Sequence, residues 1–282
     1  QRIVLAEREL APTTYQLWTS KGSQADFRPT EIYDISQDGE LQEIPENGEF
    51  TAAKLSEGPV AVRRLITVGK RVDFTRQLFL NDQFDLVARV LRRLTLGYYQ
   101  GINRSVYSIL KKNPTMGDKL ALFSAGHGNL GTAAAPSTSS FSEARRLMRQ
   151  QTETGGSAKL NIAPAYILTG AGNETAIEQL LTSTADPAGA NAGVANIFRN
   201  RMQLVVDAEL DLDSGPQPYF FAANPALADT IEVAYLNGNE APMVESQPAF
   251  DVLGMRFRVY GDCGVTLLGY KGLVKNAGKE EA

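Results

Sequence analysis

One segment constrains this chain more than any other. Between residues 82 and 112, apolar side chains recur at Phe84, Val87, Leu91, Leu94, Tyr98, Ile102, Val106 and Leu110, always three or four residues apart. That spacing predicts a single amphipathic helix. Asn81 or Asp82 serves as its N-cap, Lys111 and Lys112 suit the negative end of its dipole, and Asn113-Pro114 stops it. At 1.5 Å per residue the helix is about 46 Å long, far beyond the roughly 11–12 residues of an ordinary globular helix.

Just before it lies a second unusual stretch. Residues 31–75 read as a long two-stranded excursion. On the return limb Val60, Val62, Ile66, Val68, Val72 and Phe74 fall on one face, which Arg64 and Lys70 break, and Arg63, Thr67, Gly69, Arg71 and Asp73 on the other. Such period-two alternation predicts strand. The outgoing limb, Glu31 to Ile44, is less regular, and the run Pro45-Glu46-Asn47-Gly48-Glu49 holds a hairpin-type Asn-Gly. A two-stranded ribbon is marginal alone in water, so it is expected to lean on a partner surface. Residues 1–30, punctuated by Pro12, Gly22 and Pro29 and kept polar by Thr13, Thr14, Thr19 and Ser20, read as an extended arm that docks on its own subunit or a neighbour.

The rest alternates short elements. Residues 115–140 are expected as loop, Phe141 to Gln151 as a helix with a basic face (Arg145, Arg146, Arg149), Ala165 to Thr169 as a strand, and Glu174 to Thr182 as a helix. Met202 to Ala208 and Tyr219 to Ala223 follow as strands. Ile231 to Val274 is expected to alternate strands with turns at Asn237-Gly238, Gly261 and Gly269, and the tail from Asn276 to fray.

Composition excludes several classes. The 282 residues suffice for one large domain or two modest ones, and 43% hydrophobic residues argue for a packed protein. A net charge of −4 argues against a basic nucleic-acid binder. One Cys excludes an internal disulfide framework, and one Cys with one His excludes nearly every zinc site built from those residues. No apolar run approaches the roughly 18–20 residues that span a bilayer. The N-terminus is not a secretion signal, and the missing initial Met suggests a processed product. The expectation is a soluble, cytosol-made protein with neither metal nor cofactor.

Two motifs invite enzymatic readings. Gly170-Ala171-Gly172-Asn173-Glu174-Thr175-Ala176 fits G-x-G-x-x-A between a strand and a helix, as in a pyrophosphate-binding turn. The acidic partner expected about 20 residues on is missing, since Asp186 lies in a loop and Asp207 comes too late, and Glu174 would repel phosphate. The bland reading is a strand-to-helix turn. Ser124 and His127, three apart in a loop with nothing local to orient the imidazole, do not form a nucleophile and base. Cys263 reads as a small buried side chain.

Charge is more informative. Residues 31–57 carry a net −7 and residues 63–112 a net +8. Either these are two solvated faces, or the acidic ribbon tip (Glu43, Glu46, Asn47, Glu49, with Lys54 on the return limb) rests on the basic helix face (Arg89, Arg92, Arg93) of a second copy. Such complementarity sets register more than affinity.

The order of arm, acidic ribbon, very long helix, mixed central region and closing β region resembles the major capsid proteins of tailed bacteriophages, with their α+β Hong Kong 97-type fold. The residues carrying the resemblance are Gly39-Glu40-Leu41, Glu43 to Glu49, Leu55 to Gly58, Ala121 to Ser124 with His127 to Leu130, Ile231 to Gly238 and Gly269 to Gly272. It covers essentially the whole chain and points to the branch associated with a prohead protease.

The resemblance implies an N-arm over residues 1–30, an extended loop over 31–72 and a peripheral domain with a spine helix over 73–159. It further implies an axial domain over 160–230 and completion of the peripheral domain with a tail over 231–282. It implies a non-enzymatic shell subunit forming hexamers and pentamers around double-stranded DNA, assembled in the host bacterial cytoplasm and residing in the virion. Implied partners are a portal, the prohead protease and decoration proteins. Some relatives crosslink a ribbon Lys to a neighbour's Asn, for which Lys54 and Asn276 are the candidates here. The alternatives are an encapsulin-like compartment of the same fold and, in a different class, a nucleotide-binding enzyme using Gly170 to Ala176.

Overall fold

The long helix forms where the spacing predicts. In the computed structural model, which describes residues 12–33, 35–36, 43–44, 46, 48, 54–55, 61–81, 84–153, 158–186, 194–249 and 253–279, the chain opens with a 3-10 turn, Tyr15–Leu17, and strand β1, Ser20–Gln24. The ribbon follows as β2 (Thr30–Ile32), β3 (Ile35–Ser36), β4 (Lys54–Leu55) and β5 (Ala61–Arg63). Strand β6 (Ile66–Thr75) and a short helix α1 (Arg76–Leu80) lead into the spine, α2 (Phe84–Lys112). Then come α3 (Thr138–Arg149), β7 (Pro164–Thr169), α4 (Glu174–Thr182), β8 (Gln203–Val206), β9 (Tyr219–Ala223), β10 (Ile231–Leu236), β11 (Met243–Pro248), β12 (Gly254–Leu267) and β13 (Leu273–Asn276).

Two sheets flank the spine. In the first, the 14-residue β12 is the organiser: its early residues lie between β11 and β6, and its later ones pair with β10, which also carries β1 in parallel. The second runs β13-β9-β7-β8, with β8 parallel to β7 and the others antiparallel. One core cluster joins both sheets through the C-terminal half of α2, where Tyr99, Ile102, Val106, Tyr107 and Leu110 meet Leu122, Leu168, Phe220 and Ile231. Another lies between α3, α4 and the second sheet, around Phe141, Met148, Ile177, Phe198 and Phe221.

The ends of the helices follow local chemistry. Asn113 takes a left-handed φ of 48° after α2, while its Oδ1 accepts from the Phe123 amide at 2.6 Å and its Nδ2 donates to the Phe123 carbonyl at 3.1 Å. Ser137 caps α3 in a reciprocal box with Ser140, each hydroxyl accepting from the other's amide.

Five expectations are corrected. The segment around residues 12–24 is not a loose arm: Trp18 is 0% and Tyr15 2% exposed, the Trp18 indole donates to the Tyr107 hydroxyl at 3.3 Å, and β1 extends the first sheet. Two aromatic side chains outweigh the polar residues around them, because only the aromatics carry burial energy of a few kcal/mol each. The return limb of the excursion divides, since β5 belongs to the ribbon while β6 pairs along its length with β12. Gly261 is no turn but lies within β12, where a Cβ would come within 2.7 Å of the Tyr98 ring; its bare backbone lets the spine press against the sheet. Ile231–Val274 does not serve one sheet: β10, β11 and β12 join the first, and Leu273–Asn276 joins the second beside β9. Asn276 itself is 2% exposed, so the chain does not fray there.

Candidate assembly interface

The ribbon departs from the first sheet through an ion pair. Arg63, the last residue of β5, donates from Nε and Nη2 to the two carboxylate oxygens of Glu232 on β10, at 2.6 and 2.7 Å. Both side chains are largely buried. Bidentate geometry makes this a strong, directional anchor. Gly22 on β1 completes it, because a Cβ there would stand 2.5 Å from the Glu232 carboxylate. The three residues come from the leading segment, the ribbon and the closing strands, and fix the root of the ribbon.

Beyond that root, among the described residues, the ribbon pairs only with itself. Its ladders are three residue pairs between β2 and β5 and two between β3 and β4. Tyr33 and Val62 are each 50% exposed, and Ile44 is exposed too. So short a two-stranded element gains little from its own hydrogen bonds, and its exposed apolar side chains favour a covering surface.

The candidate contact residues sit as follows. Glu43 and Glu46 are exposed on the ribbon, and Lys54 is in β4, paired with Ser36. Asn47 and Glu49 lie outside the described residues. Arg89, Arg92 and Arg93 are exposed on α2 at the spacing that shares one helical face. Glu43 and Glu46 are thus on a different part of the chain from the three arginines, and all five are exposed. Sequence reasoning missed Arg63 and Glu232 as a pair, since 169 residues separate them. The one available signal was Glu232 at an otherwise apolar strand position.

The other constellations close on themselves. At the G-x-G-x-x-A turn, the Asp211 carboxylate accepts from the amides of Ala171 and Gly172 at 3.0 and 3.2 Å. A Cβ on Gly170 would overlap Asp211. The glycines admit a carboxylate of the chain itself where a pyrophosphate would sit, so the nucleotide reading loses its site.

His127 is oriented, contrary to expectation. Its ring stacks on Tyr270 at 3.8 Å, with Nδ1 3.1 Å from the Leu122 carbonyl and Nε2 2.5 Å from the Asp118 carboxylate. Ser124 Oγ accepts from the His127 amide at 3.2 Å, so it braces the turn instead of facing the imidazole as a nucleophile. Asp118 feels opposing influences: partial burial raises its pKa, and the bonds with His127 and the Leu120 amide together lower it by more, leaving it below its ordinary value. Cys263 is buried, as expected.

Asn276, the proposed crosslink acceptor, is buried and bonded through both its amide oxygen and its amide nitrogen. Its Nδ2 donates to the Thr132 carbonyl at 2.8 Å, and its Oδ1 accepts from the amides of Ala134 and Gly278 at 3.1 and 3.0 Å. It acts as a brace between loop and strand, unsuited to attack by a neighbour's Lys54. Among the described residues no group of three or more His, Cys, Asp or Glu side chains is placed to hold a metal ion. No described helix is long and apolar enough to cross a membrane.

A spine helix flanked by two sheets, with a ribbon rooted at Arg63 and Glu232, is the arrangement of the Hong Kong 97-type fold. Solved structures agree. The capsid of cyanophage P-SCSP1u is similar with a TM-score of 0.64 at 9% identity, over 96% of this chain and 89% of that one. A structure from Mycobacterium phage Bobi is similar at 0.60 and 9% identity, over 95% and 91%. The holo-SrpI encapsulin of Synechococcus elongatus PCC 7942 is similar at 0.57 and 13% identity, over 97% and 94%. No curated protein matches the chain in sequence. A family model described as phage capsid protein matches residues 60–276, and the chain belongs to that family. It is a structural protein, a major capsid protein of the tailed-phage kind.

Proposed function

We propose that copies of this chain form the hexamers and pentamers of an icosahedral head that encloses double-stranded DNA, each ribbon seated on the basic face of a neighbour's spine. The ribbon carries the reading: it is anchored tightly at Arg63 and Glu232, and beyond them exposes Tyr33, Ile44 and Val62. In this scheme the ribbon rooted at Arg63 is the extended loop, and α2 is the spine of a peripheral domain. The second sheet, with loops between residues 160 and 230, gathers around the symmetry axes. Glu43, Glu46, Asn47 and Glu49 meet Arg89, Arg92 and Arg93 across the contact. A portal, a prohead protease and decoration proteins are the partners such a head uses, and the bacterial cytoplasm is where it forms. The subunit's work is geometrical and calls on no catalytic residue.

Replacing Arg92 and Arg93 together by Glu tests the contact. The expected outcome is loss of assembled particles in sedimentation, with a melting transition close to that of the parent. Normal assembly of the double variant contradicts it.

A second reading, a cargo-storing compartment, is favoured by the likeness to an encapsulin. Particles purified after nuclease treatment distinguish the two, since a DNA container retains protected nucleic acid and a cargo compartment retains a co-purifying protein.

A further inference from the structure

Six basic side chains gather around the C-terminal end of α3. Arg145 and Arg146 precede Arg149 by four and three residues, so the three share one side of the helix. Lys159 donates from Nζ to the carbonyl of Gln150, the residue that ends α3, at 3.1 Å. Arg149 Nη1 donates to Asn161 Oδ1 at 3.0 Å. The Arg145 guanidinium stands 4.8 Å from the centre of the Phe198 ring. Phe198 opens the turn that carries Arg199 and Arg201, closed by the Arg201 amide donating to the Phe198 carbonyl at 3.1 Å. Arg145 is half-buried and the other five are exposed.

The chain does not neutralise this cluster. Among the described residues none of the six forms an ion pair; their partners are amide oxygens, a carbonyl and a ring. Residues 138–161 and 194–203 hold these six bases and two acids, Glu143 and Glu153. Glu143 is engaged elsewhere, accepting from the Thr132 amide and hydroxyl at 3.2 and 2.9 Å. Glu153 follows Thr152, which bridges to Lys159, and pairs with none of the six. Like charges three and four residues apart weaken a helix. The helix dipole favours bases in the last turn, which accounts for Arg146 and Arg149. It does not account for Lys159, Arg199 and Arg201, which lie outside the helix.

The chemistry of the cluster selects its ligand. Guanidinium forks match phosphate oxygens. The Phe198 ring is 1% exposed beneath Arg145, so it offers no platform for the stacked bases by which single strands are held. The backbone of a duplex needs no such platform. The net charge of −4 belongs to the whole chain and leaves room for a local basic face.

We infer that the face formed by the end of α3 and the 198–201 turn contacts the phosphate backbone of duplex DNA without sequence preference, and so is the inner face of the shell. The inference rests on the DNA-container reading above. Anisotropy of a labelled duplex titrated with the purified full chain over a salt series tests it. The expected result is binding whose log K against log salt slope shrinks by about two when Arg146→Gln and Arg149→Gln are combined. The slope should stay as in the parent when Lys111→Gln and Lys112→Gln, two exposed bases at the end of α2, are combined. No binding, equal slopes in the parent and the Arg146–Arg149 variant, or tighter binding of polyglutamate than of the duplex overturns the inference; the last result would give the face to an acidic protein. A second measurement needs no variant. Acetylation of Lys159 by an N-hydroxysuccinimide ester is expected to be at least about three-fold slower with duplex present, with Lys111 and Lys112 unchanged as references. Equal rates at Lys159 with and without duplex overturn the inference. Nuclease-treated parent particles without DNA refute the container reading and this inference with it, whereas particles holding DNA together with an unchanged slope refute the inference alone.

Discussion

Arg63 and Glu232 place two opposite charges out of water, where each alone would be costly. Their bidentate geometry compensates for that only while both are present. Arg63→Ala should therefore cost about 3–5 kcal/mol of unfolding free energy by leaving Glu232 buried without its partner, measured by chemical denaturation. Replacing both by apolar residues should cost much less, and equal losses would contradict the assignment. The His127 pair makes a prediction about pH. Because the Asp118 pKa lies below its ordinary 3.8 in the folded chain, its contribution is present above that value and disappears as the pH falls through the lower folded one. Asp118→Asn should flatten this acid limb of the stability profile and leave its shape near neutrality little changed. Since Asp118 is part-exposed, the effect is a modest one. An acid limb identical to the parent's would contradict the pairing.

At the scale of elements, what was legible in the sequence was whatever depended on near neighbours. Helix α2 emerged from its three- and four-residue spacing, α4 from Glu174 to Thr182, and β9 from Tyr219 to Ala223, each close to its observed limits. What was not legible depended on contacts across the chain. The 12–24 segment looks like an arm because its polar residues are many, and only packing reveals that Trp18 and Tyr15 sit in the core with Tyr107 and Tyr235. Trp18→Ala should cost about 3–5 kcal/mol in denaturant titration, whereas a loss below 1 kcal/mol would return this segment to the surface. Gly261 looks like a turn for the same reason, since the Tyr98 ring that explains it comes from another element. Asp211 is 39 residues from Gly172 and could not be foreseen as the group that fills the glycine turn. Of the candidate interface, the opposed charge of ribbon and spine was legible, and the ion pair at the ribbon's root was not.

For the whole molecule, the two sheets and the spine share a core that one chain completes by itself, while among the described residues the ribbon is anchored to the body at Arg63 and Glu232. In the proposed assembly, the body is complete within one chain and the ribbon finds its covering surface on another copy. Buried area at such a contact converts to affinity only after the ordering of the ribbon is offset, so each contact is individually weak and a closed shell gains from repetition. Electron microscopy of the purified chain across a concentration series tests this most directly. Closed particles in which every ribbon lies over an adjacent subunit's spine are the predicted result; solitary subunits at every concentration, with the ribbon folded back on its own body, would contradict it.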